Sequence, residues 1–309
     1  MTDVVRFRLH LGTVVKLPGT SVAIEKSLQS LIEQHLESFL GIRFLASEYA
    51  TTKSHGGRID TLGLDEDASP VIIEYKRSLN ENVISQGLFY LDWLLDHRGD
   101  FKLLVLDRLG SEAAASVSWQ FPRLVCIAGE FTKYDQYAVQ QIPRNIELIR
   151  YRKYGDDLIL LEQVARNSIS PSSATALGIA SIPASAQDPG TVTPPVISSD
   201  EFISRYDSDF QDWFHGLRAF IHGLGGDVEE RVVESSSYIA FRRLTTFAYL
   251  NFLPTKKAIG IDLPLESHAV TLEPGFSERK PQTFVRVWVT SAERAEHAQP
   301  LIAISYGLH

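Results

Sequence analysis

One stretch of the sequence, residues 167–199, constrains the fold more than any other because it separates the chain into two parts. It contains eight serines and five prolines, and Asp188 is its single charged residue. It shows neither a helical nor a strand period, and a packed loop of this length is unusual inside one domain. The sequence therefore predicts a flexible linker at residues 167–199, between one domain at residues 1–166 and a second at residues 200–309.

The composition is that of an ordinary globular protein. Of 309 residues, 44% are hydrophobic and 22% are charged, and a chain of this length usually forms two domains. No run reaches the ~18 apolar residues of a membrane-spanning helix, and the first residues lack the apolar core of a signal peptide. The single cysteine, Cys126, excludes an internal disulfide and a thiolate metal cluster. We therefore expect a cytoplasmic protein with no membrane partner.

The charge balance argues against a protein that is basic overall. The 30 Lys and Arg residues are outnumbered by 38 Asp and Glu residues, which gives a net charge of −8. Nucleic-acid-binding proteins usually rely on a basic surface. The net charge is a sum, however, and an acidic protein can still carry a local basic groove.

Periodicity in the first domain indicates strands that alternate with helices. An apolar stripe of Leu28, Ile32, Leu36 and Phe39 predicts a helix over residues 21–40. Further helices are predicted at residues 85–97 and 136–142, and strands at residues 4–17, 58–64, 71–76, 101–106, 123–127 and 146–151. This alternation favours the α/β class, with a mixed β-sheet flanked by helices.

The second domain shows the pattern of an α+β domain built on an antiparallel meander. One helix is predicted at residues 200–223 and another at residues 292–306. Strands are predicted between them, at residues 228–234, 238–243, 246–253, 258–263 and 283–290. The basic pairs at strand ends either contact phosphates or form a solvated face: Arg242-Arg243, Lys256-Lys257 and Arg279-Lys280. The function of this domain stays open.

Two short strands of the first domain bring charged residues to one end of a hairpin. When the turn is centred on Asp67, Asp60 lies opposite Glu74. Cross-strand neighbours are about 5 Å apart, and the strand period of two also puts Lys76 on the same face as Glu74. Two carboxylates and an ammonium group are therefore predicted to meet at the end of the hairpin.

Adjacent carboxylates repel each other unless a positive charge lies between them, and a divalent cation can supply that charge. Oxygen ligands without cysteine select a hard ion, Mg²⁺ or Mn²⁺. Lys76 is then placed to stabilise developing negative charge or to orient an attacking water, as phosphodiester hydrolysis requires. The alternative is a chance Glu-x-Lys sequence on a solvated strand edge. Two features weigh against it: Glu74 ends an apolar strand, and Gly56 and Gly57 precede Asp60 and permit close approach of the backbone.

Two predicted helices add polar residues to this constellation. Glu25 falls on the apolar stripe of the first helix, where a carboxylate either needs a partner or interacts with the helix dipole. Glu33 falls off that stripe. On the helix after the hairpin, Gln86 and Tyr90 share a second stripe, which either faces the charged end of the hairpin or forms an ordinary aromatic rim.

These residues together resemble the PD-(D/E)XK nuclease superfamily, and they are most similar to the catalytic domain of the NucS endonucleases. The likeness covers roughly residues 21–110, and Ile59 stands where the superfamily's name has proline. The whole chain also resembles uncharacterised two-domain bacterial proteins that end in a domain of unknown function and are sometimes labelled predicted transport proteins, although no membrane segment supports that label. The matching motifs are Gly57-Arg58-Ile59-Asp60, then Glu74-Tyr75-Lys76, then Gln86, Tyr90 and Trp93 in the spacing Q-x-x-x-Y-x-x-W.

The resemblance implies a restriction-endonuclease-like mixed β-sheet for the first domain. It also implies that the Tyr75 carbonyl joins two carboxylates around Mg²⁺ or Mn²⁺, and that Lys76 positions the nucleophilic water. The implied site residues fall into three sets: metal ligands Asp60, Glu74 and Tyr75; catalytic residues Asp60, Glu74, Lys76, Gln86 and Glu25; and DNA-binding residues Arg58, Arg77 and Tyr90.

Two classes of function follow. The first is a Mg²⁺-dependent endonuclease that hydrolyses DNA phosphodiester bonds, in DNA repair or in defence. The second is a catalytically silent module that binds nucleic acid or protein on a nuclease fold. The intact set of Asp60, Glu74 and Lys76 favours the endonuclease, because a degenerate site would be expected to lose a member. A homodimer is compatible with the sequence, which does not determine the oligomeric state.

Limited proteolysis should cut the chain within residues 167–199 and release two folded fragments, because a segment of this composition cannot bury enough apolar surface to fold. The measurement is mass spectrometry of the fragments after a brief digestion with a protease of broad specificity. A full-length chain that resists conditions sufficient to digest an unfolded control protein would contradict the predicted linker.

Overall fold

The structure, a computed structural model, describes residues 6–10, 13–17, 19–20, 25–51, 56–75, 82–155, 157–168, 197–265, 270–280 and 284–309. The chain divides into two compact units, Met1–Pro194 and Pro195–His309. This division falls inside the predicted linker. Most of that linker, residues 169–196, lies outside the described part of the chain.

The first unit contains nine strands and six α-helices among its described residues. The strands are β1 (Arg6–His10), β2 (Thr13–Leu17), β3 (Gly19–Thr20), β4 (Arg43–Ala50), β5 (Arg58–Leu64), β6 (Pro70–Tyr75), β7 (Arg123–Ala128), β8 (Asn145–Tyr154) and β9 (Leu158–Asn167). The helices are α1 (Glu25–Gln34), α2 (Leu36–Leu40), α3 (Val83–Asp96), α4 (Arg98–Leu109), α5 (Ser111–Ser116) and α6 (Lys133–Gln141).

Seven of these strands form one mixed sheet. Its order is β3-β8-β7-β6-β5-β4, and β9 pairs with β8 outside this path. β6 is parallel to β7 and β7 is parallel to β8, whereas the other pairs of this sheet are antiparallel. β1 and β2 form a separate two-stranded sheet. A mixed sheet flanked by helices is the fold class that the sequence predicts, and it is confirmed for this unit.

The central strands are covered by helices on both faces. β6 and β7 are buried along their whole length, as the nearly continuous apolar runs of their sequences require. α3 lies on one face, where a Cβ added at Gly87 would meet Leu124 at 2.4 Å. On the other face, a Cβ added at Gly63 would meet Ile42 at 2.4 Å and Leu36 of α2 at 3.7 Å. The ends of β5 and β6 are therefore enclosed between two helical layers.

Several elements of this unit differ from the prediction. Residues 101–106, predicted as a strand, lie in α4, where Phe101 and Val105 are buried four residues apart and Leu103 is exposed. The period of so short an apolar run does not tell whether the segment is a strand or a helix. The prediction also lacks β4 and β9, which lie outside the most buried strands and alternate only weakly. The helix predicted over residues 21–40 is interrupted at His35, between α1 and α2.

A buried cluster of three charged residues fixes the turn between β5 and β6. Asp65 accepts hydrogen bonds from the backbone N–H groups of Asp67 and Ser69, at 3.0 and 2.8 Å. The Arg123 guanidinium lies 3.3 Å from the Asp65 carboxylate and 2.8 Å from Glu147, and all three side chains are 3% exposed or less. This cluster joins the β5–β6 turn to β7 and β8 at the end of the sheet opposite to Asp60.

We expect Arg123→Met to destabilise the protein by about 3–5 kcal/mol, because it leaves the Asp65 and Glu147 carboxylates buried without the guanidinium. Arg108→Met is the matched control, since Arg108 pairs with Asp107 at 3.7 Å in an exposed position. Such surface pairs contribute at most about 1 kcal/mol. The measurement is urea unfolding of both variants, and equal midpoints would contradict the structural importance of the buried cluster.

The second unit contains six strands and three α-helices among its described residues. The strands are β10 (Glu229–Val233), β11 (Tyr238–Arg242), β12 (Thr246–Leu253), β13 (Ala258–Leu263), β14 (Ser277–Lys280) and β15 (Phe284–Val289). The helices are α7 (Ser199–Ile203), α8 (Ser208–Leu224) and α9 (Ala292–Leu308).

The sheet of the second unit is antiparallel throughout, in the order β10-β11-β12-β13-β15-β14. Phe214 of α8 and Ile302 of α9 lie in the same core as Phe241 of β11, so both helices pack on one face. The predicted α+β domain with an antiparallel meander is confirmed. The helix predicted at residues 200–223 is two helices, α7 and α8. Asp207 caps the start of α8, because its carboxylate accepts a hydrogen bond from the Phe210 backbone N–H.

One member of the Arg242-Arg243 pair of the second unit is buried. Arg242 is 1% exposed, and its guanidinium donates to Glu229 at 3.2 Å. A phosphate-contacting patch that includes Arg242 is therefore excluded. None of the helices in the described ranges is long and apolar enough to span a membrane.

Candidate functional site

The hairpin of β5 and β6 has the predicted register. Thr61 lies opposite Ile73, and the pairing continues to the turn. Beyond this pair, the Asp60 backbone N–H donates to Glu74 Oε1 at 3.1 Å. The Tyr75 backbone N–H donates to Asp60 Oδ2 at 2.9 Å. Each carboxylate therefore binds the backbone of the opposite strand, and these reciprocal hydrogen bonds hold the two acidic side chains side by side.

Both acidic side chains are withdrawn from solvent. Asp60 is 8% exposed and Glu74 is 1% exposed. Burial of a carboxylate is costly unless hydrogen bonds satisfy it, and the backbone N–H groups supply such bonds. Glu74 shares a face of β6 with Ile72, which belongs to the core beneath α3. The site is therefore a pair of buried acids at the edge of the α3-covered face.

The donor atoms at this pair are hard oxygens. Among the described residues, no group of three or more His, Cys, Asp and Glu side chains is arranged to hold a metal ion. Two carboxylates are nevertheless the usual protein contribution to a Mg²⁺ site, which is completed by waters, backbone carbonyls and substrate phosphates. The Asp60 and Glu74 side chains therefore offer the type of oxygen donor that suits Mg²⁺ or Mn²⁺.

The pKa of the buried Tyr75 phenol is raised by burial and by the carboxylates around it. Burial raises the pKa of Tyr75 above its ordinary value, and the nearby carboxylates of Glu33, Asp60 and Glu74 raise it further. The phenol therefore stays protonated at neutral pH, so Tyr75 can serve the site through its backbone but not as a base.

α3 holds the start of β5 from one side. The Tyr90 hydroxyl accepts a hydrogen bond from the Arg58 backbone N–H at 3.2 Å, and Gln86 Nε2 lies 3.5 Å from the same hydroxyl. Tyr90 is 6% exposed, so its ring is packed in the core rather than offered to a ligand. Gln86, in the first turn of α3, is exposed. The predicted Gln86–Tyr90 stripe therefore does face the hairpin end, with Tyr90 in contact with its backbone.

Of the remaining predicted site residues, the structure describes the side chain of Arg58 but not those of Glu25, Lys76 and Arg77. The Arg58 side chain is 66% exposed and forms an ion pair with Glu48 at 3.8 Å. Glu25 is the first residue of α1, and its side chain lies outside the described part. Lys76 and Arg77 follow the last residue of β6 and also lie outside the described residues.

Sequence reasoning missed two residues of α1. Gln29 Nε2 donates to the Asp60 carbonyl oxygen at 3.0 Å, and Glu33 accepts a hydrogen bond from the Thr61 hydroxyl. Glu33 lies off the apolar stripe and still contacts β5. The apolar stripe alone gave no sign of this. The available signal was the spacing of four between Gln29 and Glu33, which puts both on one side of a helix.

No family model matches the chain. An uncharacterized protein of Haemophilus influenzae is 25% identical over 263 residues, which span 84% of this chain and 83% of that protein. Because this length exceeds either unit, the likeness extends over both, and it lends no support to the transport label.

Two solved structures are similar to part of the chain. A repair endonuclease from Pyrococcus abyssi is 19% identical, with a TM-score of 0.29, over 44% of this chain and 50% of the other. EndoMS, in the EndoMS-dsDNA2 complex, is 16% identical, with a TM-score of 0.26, over 48% of this chain and 64% of the other. This chain thus matches about half of the first structure and under two thirds of the second.

We expect Gly57→Ala to destabilise the protein by about 1–3 kcal/mol, because φ at this glycine is +135° and an added Cβ would lie 2.6 Å from the Tyr90 hydroxyl. Gly56→Ala is the control, since φ is +60° there but no atom lies within 4 Å of its added Cβ. Urea unfolding measures both changes. A loss at Gly57 no larger than the loss at Gly56 would contradict the close contact with Tyr90.

Proposed function

We propose that this chain is a divalent-metal-dependent endonuclease that hydrolyses phosphodiester bonds of DNA. The observation that carries the proposal is the reciprocal hydrogen bonding that holds two buried carboxylates, Asp60 and Glu74, side by side at the end of β5 and β6. Side chains whose only role is solubility would not be buried in this way, and adjacent buried acids favour a bound cation. The mixed sheet flanked by helices supports the same proposal.

In this proposal, Asp60, Glu74 and the Tyr75 carbonyl hold Mg²⁺ or Mn²⁺. When bound, the ion supplies positive charge to the phosphoryl oxygens of the scissile group. Lys76 follows Tyr75 directly in the sequence, and it orients the attacking water and adds a second positive charge beside the phosphate. In this proposal the chain itself supplies two adjacent buried carboxylates and one cation, Lys76.

Auxiliary roles are proposed for residues around this centre. Gln86 and Glu25 assist from the first turns of α3 and α1. Arg58, whose side chain is exposed, contacts a backbone phosphate of the DNA, as does Arg77. Tyr90 acts by fixing the Arg58 backbone, since its buried ring leaves no surface for a base.

We expect Glu74→Gln and Lys76→Ala each to lower the rate of DNA cleavage by roughly 10²–10³-fold, because each removes a preorganised charge at the reacting phosphate. Gln is preferred to Ala at position 74 because it retains an oxygen that can accept from the Asp60 N–H. Without metal, Glu74→Gln should leave stability unchanged or slightly raised, since repulsion from Asp60 is relieved. The controls are Glu112→Gln and Lys102→Ala, two exposed positions on α5 and α4.

The assay uses the full chain with Mg²⁺ or Mn²⁺ and labelled duplex, single-stranded and branched DNA. Cleavage by the wild type and by both controls, but not by the two site variants, would support the proposal. If the wild type cuts none of these substrates with either ion, the endonuclease proposal fails, and a catalytically silent binding module replaces it.

A further inference from the structure

We propose that Gln29 and Glu33 of α1 are positioning residues that set the orientation of Asp60 from the opposite side of the sheet. The geometric part of this inference stands on contacts within the protein, and its catalytic consequence rests on the proposed function. The hydrogen bonds of the two residues to β5 and the unusual backbone of Glu48, opposite Asp60, both support it.

The strand next to Asp60 departs from ordinary backbone geometry at one residue. The β4–β5 register pairs Ser47 with Thr61 and Tyr49 with Ile59, so Glu48 falls opposite Asp60. Glu48 has a positive φ of 51°, which is uncommon for a residue other than glycine. The register itself shifts elsewhere, between Phe44 and Ala46. Asp60 therefore faces an unusual backbone on β4, and contacts from outside the strand pairing can add to its support.

Side chains supply those contacts at both backbone groups of Asp60. The N–H donates to Glu74, as described, and the carbonyl oxygen accepts from Gln29 Nε2 at 3.0 Å. Gln29 is 7% exposed, so its amide is buried against the strand. Gln29 Nε2 also lies 3.3 Å from the Ser47 hydroxyl of β4. One buried amide group thus joins α1 to both strands next to Asp60.

Glu33 completes this contact one turn further along α1. Its Oε1 accepts from Gln29 Nε2 at 3.0 Å and from the Thr61 hydroxyl. The carboxylate therefore orients the Gln29 amide and binds the residue that follows Asp60. Because residues four apart lie on one side of a helix, Gln29 and Glu33 contact two consecutive residues of β5.

The consequence for the site follows from the reciprocal hydrogen bonds. Glu74 holds the N–H before the Asp60 Cα and Gln29 holds the carbonyl after it, so the two contacts together fix the backbone from which the Asp60 carboxylate extends to the Tyr75 N–H. Partners of this kind, one shell away from a metal ligand, typically change metal affinity or activity by 10–100-fold when removed. Gln29 and Glu33 touch neither substrate nor reacting atoms in this proposal, and they act through Asp60.

The test variant is Gln29→Leu, which keeps the size of the side chain and removes both N–H donors. Glu33→Gln is the conservative variant, since it retains an oxygen acceptor, and Glu37→Gln on the exposed side of α2 is the control. Thr61→Val is a second test variant, because Val favours a strand and lacks the hydroxyl donor to Glu33.

The first readout is amide hydrogen exchange of the metal-free protein, which needs no activity. In Gln29→Leu we expect exchange at the Asp60 and Tyr75 amides to rise by about tenfold, with Ile73, one residue pair into the ladder, unchanged. Thr61→Val should show a smaller rise at the same two amides, and Glu33→Gln and Glu37→Gln should match the wild type. Unchanged exchange at Tyr75 in both test variants overturns the inference.

The second readout is Mn²⁺ affinity, measured by electron paramagnetic resonance, together with kcat and KM for DNA. We expect Gln29→Leu to weaken Mn²⁺ binding by about 10-fold and to lower kcat while KM stays constant, with partial recovery at high Mn²⁺. If exchange changes but Mn²⁺ affinity and kcat stay at their wild-type values, the contact of Gln29 stabilises the backbone without affecting the site, and the positioning role is overturned. If exchange responds as expected but the wild type neither binds Mn²⁺ nor cuts DNA, the hold on Asp60 stands and the proposed endonuclease function fails.

Discussion

The candidate site depends on one exchange of hydrogen bonds at the end of the β5–β6 hairpin. There, the Asp60 N–H donates to the Glu74 carboxylate and the Tyr75 N–H donates to the Asp60 carboxylate. Side-chain oxygens thereby accept from backbone N–H groups beyond the Thr61–Ile73 pair. This arrangement compensates part of the desolvation of the two acids and keeps them adjacent despite their mutual repulsion.

The two ends of the same hairpin carry charge in different ways. At the turn, the Asp65 and Glu147 carboxylates flank the Arg123 guanidinium, and this buried cluster joins three strands. At the open end, the carboxylates of Asp60 and Glu74 bind backbone N–H groups. A guanidinium between acids gives a closed structural cluster, whereas acids held by the backbone retain the oxygen chemistry that a divalent ion requires.

Helices on both faces of the sheet hold the open end in place. Tyr90 of α3 binds the backbone of Arg58, and Gln29 of α1 binds the backbone of Asp60. Functional groups need this support, because displacement of a ligand by about 1 Å can cost a large part of its effect. β5 is thus held from both faces of the sheet, by α3 at Arg58 and by α1 at Asp60.

The sequence by itself determined the fold class, the hairpin register and the meeting of Asp60 with Glu74, because strand period and turn position are local properties of the chain. The prediction of a strand at residues 101–106 was wrong, because so short an apolar run is compatible with a strand or a helix. Packing of one side of α4 against the core decides for the helix. The sequence by itself gave no sign of the contact that Glu33 makes, because a helical stripe identifies the apolar side but not the polar residues that cross to a neighbouring strand. Only the tertiary structure decided that Gln29 and Glu33 reach β5, since those contacts join residues about thirty positions apart and depend on how α1 packs on the sheet.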